Sequence, residues 1–259
     1  MNKRELNRLL KRLFWIALFF VAIGFIFWAA EKKRSTITAE VVITIKDLPD
    51  GSSLLNKQDV RLKIERHFGY HLEGVPLGQL DVERVERVLE EDPFILDANV
   101  FVDAKSRANI EVSQRMPILR LIDKNTQHYY LDKSGRQMPL SEHFTARVLV
   151  ATGNIPPYTP EFDQRKRHVL KDLFALTKDI LADDFMRPLV EQIYIDEEGE
   201  FILIPKIGKH KIVVGDYENA AAKIENLKHF YKEGIPYEGW RKYKIINLKY
   251  KDQIVCTKA

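Results

Sequence analysis

DVERVERVLEEDPFILDANVFVDAKSRANIEVSQRMP, residues 81–117, changes its hydrophobic period part-way, and that change decides the fold class. In the first part Val82, Val85, Val88 and Leu89 recur at the spacing that lines one side of a helix, while Glu83, Arg84, Glu86, Arg87 and Glu90 face away. Asp81 is an N-cap, since its carboxylate accepts a backbone N–H that the first turn leaves unpaired. Pro93 closes the element because proline has no N–H to continue it. Beyond it the period becomes two. Leu96, Ala98, Val100 and Val102 point one way, and Asp97, Asn99, Phe101 and Asp103 point the other. After the turn DAKSR, Ala108, Ile110 and Val112 alternate with Asn109, Glu111 and Ser113, which predicts a second strand.

Upstream, Asn56 is expected to cap a helix with Asp59 in its first turn, Val60, Ile64 and Phe68 on one face, and Gly69 at its end. LPDGSS at 48–53 is a turn cluster. Before it, Val41, Ile43 and Ile45 alternate with Val42, Thr44 and Lys46 as a strand. Residues 40–113 therefore read β-α-α-β-β. So small a sheet buries both helical stripes when the two helices lie on one of its faces.

Further upstream, LFWIALFFVAIGFIFWAA at 13–30 holds 18 residues without a charge or a proline. At about 1.5 Å per helical residue it reaches roughly 27 Å, close to the hydrocarbon thickness of a bilayer. A cleaved signal peptide fits less well. Its apolar part is shorter, and cleavage after Ala30 would put bulky Trp28 where a small residue belongs. Ala22 and Gly24 have the small spacing, but apolar sequence continues past them. A retained membrane helix is expected, with Trp15 and Trp28 near its ends. Lys3, Arg4, Arg8, Lys11 and Arg12 precede it, and Lys32, Lys33 and Arg34 follow. The richer first flank places the N-terminus in the cytoplasm and the rest outside it.

Downstream the pattern is mostly β. Short strands are expected over 119–150, with DKSG at 132–135 as a hairpin turn. NIPPYTPEF at 154–162 is a connection, and Thr159 followed by Pro160 predicts a helix start, with Leu170, Leu173, Leu176, Ile180 and Leu181 on its inner face. Strands are expected at 190–196, 200–205 and 210–214, with DEEGE as a turn. Asp216 is expected to cap a helix bearing Ala220, Ile224, Leu227 and Tyr231, with Gly234 at its end. The chain then reads YKIINLKY, a turn at Lys251–Asp252, and QIVC as the last strand.

The 41 Lys and Arg against 37 Asp and Glu give a net charge of +4. The first twelve residues hold five of the cations and one of the anions, so 36 of each remain for residues 13–259. Overall balance thus gives no support for nucleic-acid binding, although it leaves room for a local patch. The single cysteine, Cys256, makes no internal disulfide and reads as a small apolar side chain in a strand. The seven histidines are scattered. His67 and His71 have helical i, i+4 spacing, but Gly69 between them ends the helix and no ligand set completes a metal site. No nucleophile elbow, phosphate loop, zinc-protease or redox motif is present. Neither a cofactor nor a small-molecule substrate is expected.

These segments resemble the FtsQ/DivIB family of bacterial cell-division proteins. EEDPFILDANVFVD (90–103) is similar to the second helix and following strand of its POTRA domain, and IEVSQRMPILRL (110–121) to the junction beyond. YYLDKSGRQMPLSE (129–142), KIVVGDYENAAAKIENLKHFY (211–231) and IINLKYKDQIV (245–255) are similar to its β domain. The resemblance implies an α+β chain with a cytoplasmic tail at 1–12, a transmembrane helix at 13–30, a linker at 31–39, a POTRA domain at 40–117, and a larger, mostly antiparallel β domain with two flanking helices at 118–259. It implies a scaffold and no enzyme, in the cell inner membrane and concentrated at the division site. Its β domain would hold FtsB, within the FtsB–FtsL pair, by strand addition at the C-terminal edge. Lys249, Tyr250, Ile254, Val255 and Cys256 are the residues this places at the contact: Tyr250 as an anchor, Lys249 for an acidic partner group, and 253–256 as the strand edge. The POTRA unit would dock other division proteins, with Phe101 as an exposed candidate. Two other readings compete. One is a membrane-anchored POTRA chaperone or translocation factor. The other is an envelope hydrolase or transferase, which needs a nucleophile and base in one pocket.

Overall fold

A computed structural model of the chain describes residues 3–251 and 253–259, and within helices it leaves some side chains, including those of 13, 27, 29, 30 and 238, undescribed. The chain forms two units, one holding the residues up to Asp47 with Leu55–Gln114, the other Leu48–Leu54 with Arg115–Ala259.

The first unit begins with helix α1 (Lys3–Ser35). The expected membrane span lies inside α1. Among the described residues no helix is long and apolar enough to cross a membrane, but four of the span's own side chains lie outside the description. Residues 31–35, read as linker, continue the helix. The next residues are tied down at once, with Leu77 N–H donating to Thr36 C=O at 2.8 Å and Thr38 N–H to Val75 C=O at 2.8 Å. Strand β1 (Glu40–Lys46) follows.

Helix α2 (Lys57–Phe68) starts where the sequence places it. The Asn56 side chain accepts from the Gln58 and Asp59 N–H groups, and Asp59 returns a bond to the Asn56 N–H at 2.7 Å. Such a reciprocal cap contributes about 1 kcal/mol. Gly69 ends the helix at φ +75°, a left-handed turn that costs a residue with a Cβ. Helix α3 (Val82–Glu90) is capped by Asp81 and buries Val85, Val88 and Leu89. Strands β2 (Ile95–Val102) and β3 (Arg107–Gln114) complete a sheet in the order β1-β3-β2, with β1 parallel and β2 antiparallel to β3. Ile43, Ile64, Val85, Val100, Ile110 and Val112 share its core.

Two details depart from expectation. The β2–β3 register slips between Ile95 and Asp97, so Ile95 turns inward and Leu96 is left 55% exposed. Nor do Glu86 and Glu90 face away. The Glu86 carboxylate accepts from the Val100 N–H at 2.7 Å, and Glu90 accepts from the Ala98 N–H at 3.5 Å.

In the second unit, strands β4 (Pro117–Ile122), β5 (His128–Asp132), β6 (Gln137–Met138) and β7 (Leu149–Gly153) are followed by helices α4 (Val169–Ala182) and α5 (Met186–Leu189). Next come β8 (Val190–Ile195), β9 (Phe201–Pro205), β10 (Lys211–Gly215), α6 (Ala220–His229), α7 (Ile235–Glu238), β11 (Tyr243–Asn247) and β12 (Val255–Lys258). All nine strands form one sheet in the order β12-β11-β10-β9-β8-β7-β4-β5-β6. It is parallel at β11/β10, β8/β7 and β7/β4 and antiparallel elsewhere. Crossover helices make two of the parallel pairs possible, α4 returning the chain from β7 to β8 and α6 from β10 to β11, while β4 and β7 are joined through β5 and β6.

The hairpin at 132–135 forms around Asp132. Its carboxylate accepts from Ser134 and from the Arg136 N–H, and meets the buried Arg115 guanidinium at 3.1 Å. Burial opposes the Asp132 charge, but these donors outweigh it and hold its pKa below the ordinary value.

Three helix boundaries differ from expectation. Thr159–Pro160 starts no helix. Glu161 takes a left-handed φ of 59°, a 3-10 turn follows at Phe162–Gln164, and α4 begins only after His168, whose Nδ1 accepts from the Leu170 N–H at 3.2 Å. Asp216 does not cap α6, because its carboxylate is 2.8 Å from Lys223 Nζ instead. Gly234 does not stop the helical path, which widens into a π-turn over Phe230–Gly234 and runs into α7. A Cβ at Gly234 would lie 2.8 Å from the Phe230 ring, so glycine is there for space.

Candidate functional site

The last strand is the most open feature of the second unit. β11 is paired on one side with β10. On its other side β12 pairs antiparallel, with Asn247 opposite Val255, Ile246 opposite Cys256, Ile245 opposite Thr257 and Tyr243 opposite Lys258. Among the described residues no strand pairs with β12's outer side. Half of its backbone N–H and C=O groups therefore face outward, the template an added strand needs. β6, at the other border of the sheet, has only two residues and offers far less.

The expected contact residues fall into two groups. Tyr250, 54% exposed, and Val255, 44% exposed, are free to meet a partner. Ile254 and Cys256 are half-buried against the core, Cys256 behind the buried Ile246. Burial pushes the pKa of the Cys256 thiol up, favouring its protonated form. Lys249 is exposed but already bridged to Glu200, and its N–H is held by Asn247 Oδ1 at 3.0 Å. The strand also sits two residues later than expected. It spans Val255–Lys258, not 253–256, because Gln253 closes the preceding turn with its N–H on Tyr250 C=O at 3.4 Å. Asp252, half of the expected turn, lies outside the described residues.

Beside the edge runs a shallow groove that the sequence reading missed. Asn226, His229, Phe230 and Glu233 line one wall, and Gln253 and Ile254 the other. The signal was Gly234, whose missing side chain lets Phe230 pack there.

The sheet of the first unit has the opposite character at β2. Its outward N–H groups at Ala98 and Val100 are already taken by Glu90 and Glu86 of α3. Phe101, 42% exposed, and Leu96 stand on the face of that closed strand.

A family model described as FtsQ/DivIB, C-terminal related, matches residues 116–257, from β4 through most of β12. The chain belongs to the FtsQ/DivIB family. A POTRA-like domain model matches residues 36–113, the β-α-α-β-β unit. No curated protein matches the chain. Both families are non-enzymatic, and membership makes this FtsQ/DivIB chain a cell-division scaffold. Among the described residues no three His, Cys, Asp or Glu side chains gather as a metal site would require. His71 lies beyond the end of α2, with its Nδ1 2.7 Å from Glu65, rather than beside His67 on one helix.

Proposed function

We propose that this FtsQ/DivIB chain links early and late division proteins outside the cytoplasm, and that its β12 edge holds a strand of FtsB within the FtsB–FtsL pair. The observation that carries this is a four-residue strand with no described strand on its outer side, exposed at Val255 and preceded by exposed Tyr250, with the Phe230–Ile254 groove beside it. Backbone pairing supplies affinity, and the groove and Tyr250 supply choice of side chain. Lys249 serves by holding the β11–β12 connection to Glu200.

α1 anchors the chain in the cell inner membrane as a single pass, with the N-terminus cytoplasmic and both units periplasmic, at the division site. In support, Phe14, Trp15, Phe19, Phe20, Phe25 and Ile26 are all exposed around the helix, where only an apolar medium covers them. The POTRA-like unit docks other division proteins through side chains such as Phe101 and Leu96. Two outward N–H groups of its β2 edge are taken by Glu86 and Glu90, which leaves β1 as the border of that sheet without a described strand on its outer side.

A fluorescent protein fused to Met1, in cells depleted of the native copy, tests the scaffold. A mid-cell band with rescued division is expected, and uniform signal with normal division on depletion overturns it. Tyr250→Glu is expected to abolish FtsB capture while the protein stays folded.

A further inference from the structure

The second unit carries 24 Lys and Arg against 21 Asp and Glu, a net +3, and this charge is not spread evenly along its sheet. β4, β7, β8, β10 and β11 all run in one direction, so their starts share one end of the sheet. At that end the chain enters the unit through Arg115 and β4. The β9–β10 loop and the approach to β11 lie there too. They are held together by a chain of rings: His210 to Tyr231 at 5.7 Å, and Tyr231 to Trp240 at 5.8 Å. Residues 205–211 and 239–244 carry Lys206, Lys209, Lys211, Arg241, Lys242 and Lys244, all exposed, and no acid. The nearest acids flank them: Glu233 and Glu238 in sequence, and Asp184 and the exposed Glu191, which line a cavity with Lys206, Asp184 being bridged to Arg187 at 2.8 Å. Among the cations stand exposed apolar and amphipathic side chains: Ile207 at the loop tip, Trp240, and Tyr237, which is 90% exposed.

The opposite end is acidic. The β8–β9 turn holds Asp196, Glu197, Glu198 and Glu200, and the β10–α6 turn holds Asp216 and Glu218. Of the lysines there, Lys249 and Lys223 are bridged to Glu200 and Asp216, and Lys251 and Lys124 are exposed beside them, leaving the acids in excess. The unit is thus an electric dipole aligned with its strands. An anionic plane attracts one end and repels the other.

We propose that the basic end of the β domain, Lys206–Lys211 with Trp240–Lys244, docks on the anionic surface of the bilayer in which α1 is read to sit. Cations beside an isoleucine, a tryptophan and a tyrosine are the composition of an interfacial contact, where amphipathic rings enter the headgroup layer and Lys and Arg meet lipid phosphates. A soluble acidic protein would satisfy the cations but would leave the projecting Ile207 without a medium. The same polarity turns the acidic end, with the Lys249–Tyr250 turn that leads into β12, away from the lipid.

The inference rests on the anchor reading, and the test separates the two. The full chain carrying Trp15→Phe and Trp28→Phe, with Trp240 as its one tryptophan, is mixed with nanodiscs of phosphatidylcholine alone or with phosphatidylglycerol added, each containing a lipid-borne quencher. Co-elution with zwitterionic discs reports α1. Quenching of Trp240 by about half in anionic discs, and its loss in zwitterionic discs or at high salt, is expected of an interfacial side chain. The added triple change Lys206→Glu, Lys209→Glu, Arg241→Glu is expected to weaken that quenching roughly tenfold, with an unchanged melting profile. Co-elution without lipid-dependent quenching overturns the docking and leaves the anchor standing. Protection of Trp240 by dextran sulfate in zwitterionic discs, equal to that in anionic discs, overturns it in favour of a glycan polyanion. Failure to co-elute with either disc overturns both readings.

Discussion

Two border strands, β2, which with β1 borders the first sheet, and β12, which with β6 borders the second, solve the same problem in opposite ways. An exposed strand edge invites another chain. At β2 two glutamates from the neighbouring helix cover the edge, Glu86 on Val100 and Glu90 on Ala98. At β12 no described strand covers it, and the side chains around it are a tyrosine, a valine and a groove. The difference teaches that the borders of this chain's sheets are not equivalent: at β2 the neighbouring helix supplies acceptors, and at β12 no described group of that kind takes the outer side.

The largest expected effect separates the edge from the sheet behind it. Arg115→Met strips Asp132 of its buried partner and should cost about 3–5 kcal/mol, read as a lower urea midpoint. FtsB affinity of the fraction that stays folded should hardly change, and an equal loss of both would show that β12 has no independent role. Because the Asp132 pKa is depressed, its contribution is present above the ordinary carboxylate range, near pH 4, and is lost as pH falls through the lower folded value. The wild type should therefore lose stability in strong acid more steeply than the Asp132→Asn protein.

Tyr250→Glu should do the reverse, weakening FtsB binding by roughly 100-fold in calorimetry, about 2–3 kcal/mol, with little change in melting. Glu86→Ala should uncover the Val100 N–H and cost the first unit about 1–3 kcal/mol. It should also create a new self-association seen by light scattering. If the variant stays monomeric, the closed-edge half of the comparison fails.

The smallest effect concerns pH. His210 is buried against the Tyr231 hydroxyl, and burial pushes its pKa down. Above about pH 6.5 it is neutral folded and unfolded, so it adds no slope. As pH falls below that, the unfolded chain takes up a proton that the folded one resists, and stability declines. His210→Phe should flatten the melting temperature between about pH 7 and 5.

Much of this was legible in the sequence where a local rule is strong. The cap at Asn56, the left-handed stop at Gly69 and the alternation at 108–112 each depend on a few adjacent residues, and each stands as read. The misreadings share another cause. Pro160, Asp216 and Gly234 carry the local chemistry of helix ends, but near neighbours in the chain overrode it: a left-handed Glu161, the Lys223 ammonium, and the Phe230 ring. Glu86 looked solvated because a helical pattern does not show which strand end lies beneath it. At the candidate site, Tyr250 and Val255 could be picked out, yet the groove residues Asn226 and Phe230 lie on another element and share no sequence pattern with β12.

The junction of α1 with the first strand has a mechanical meaning. The helix runs to Ser35 without a break, and Thr36 and Thr38 are hydrogen-bonded to Val75 and Leu77 before β1 begins. There is no slack in that joint. A twist of the helix about its own axis is delivered to the three-stranded sheet as torque, and a pull on the sheet is felt by the helix as tilt. The first unit is therefore mounted as on a shaft, so that the bearing of α1 sets the compass heading from which its neighbours must approach.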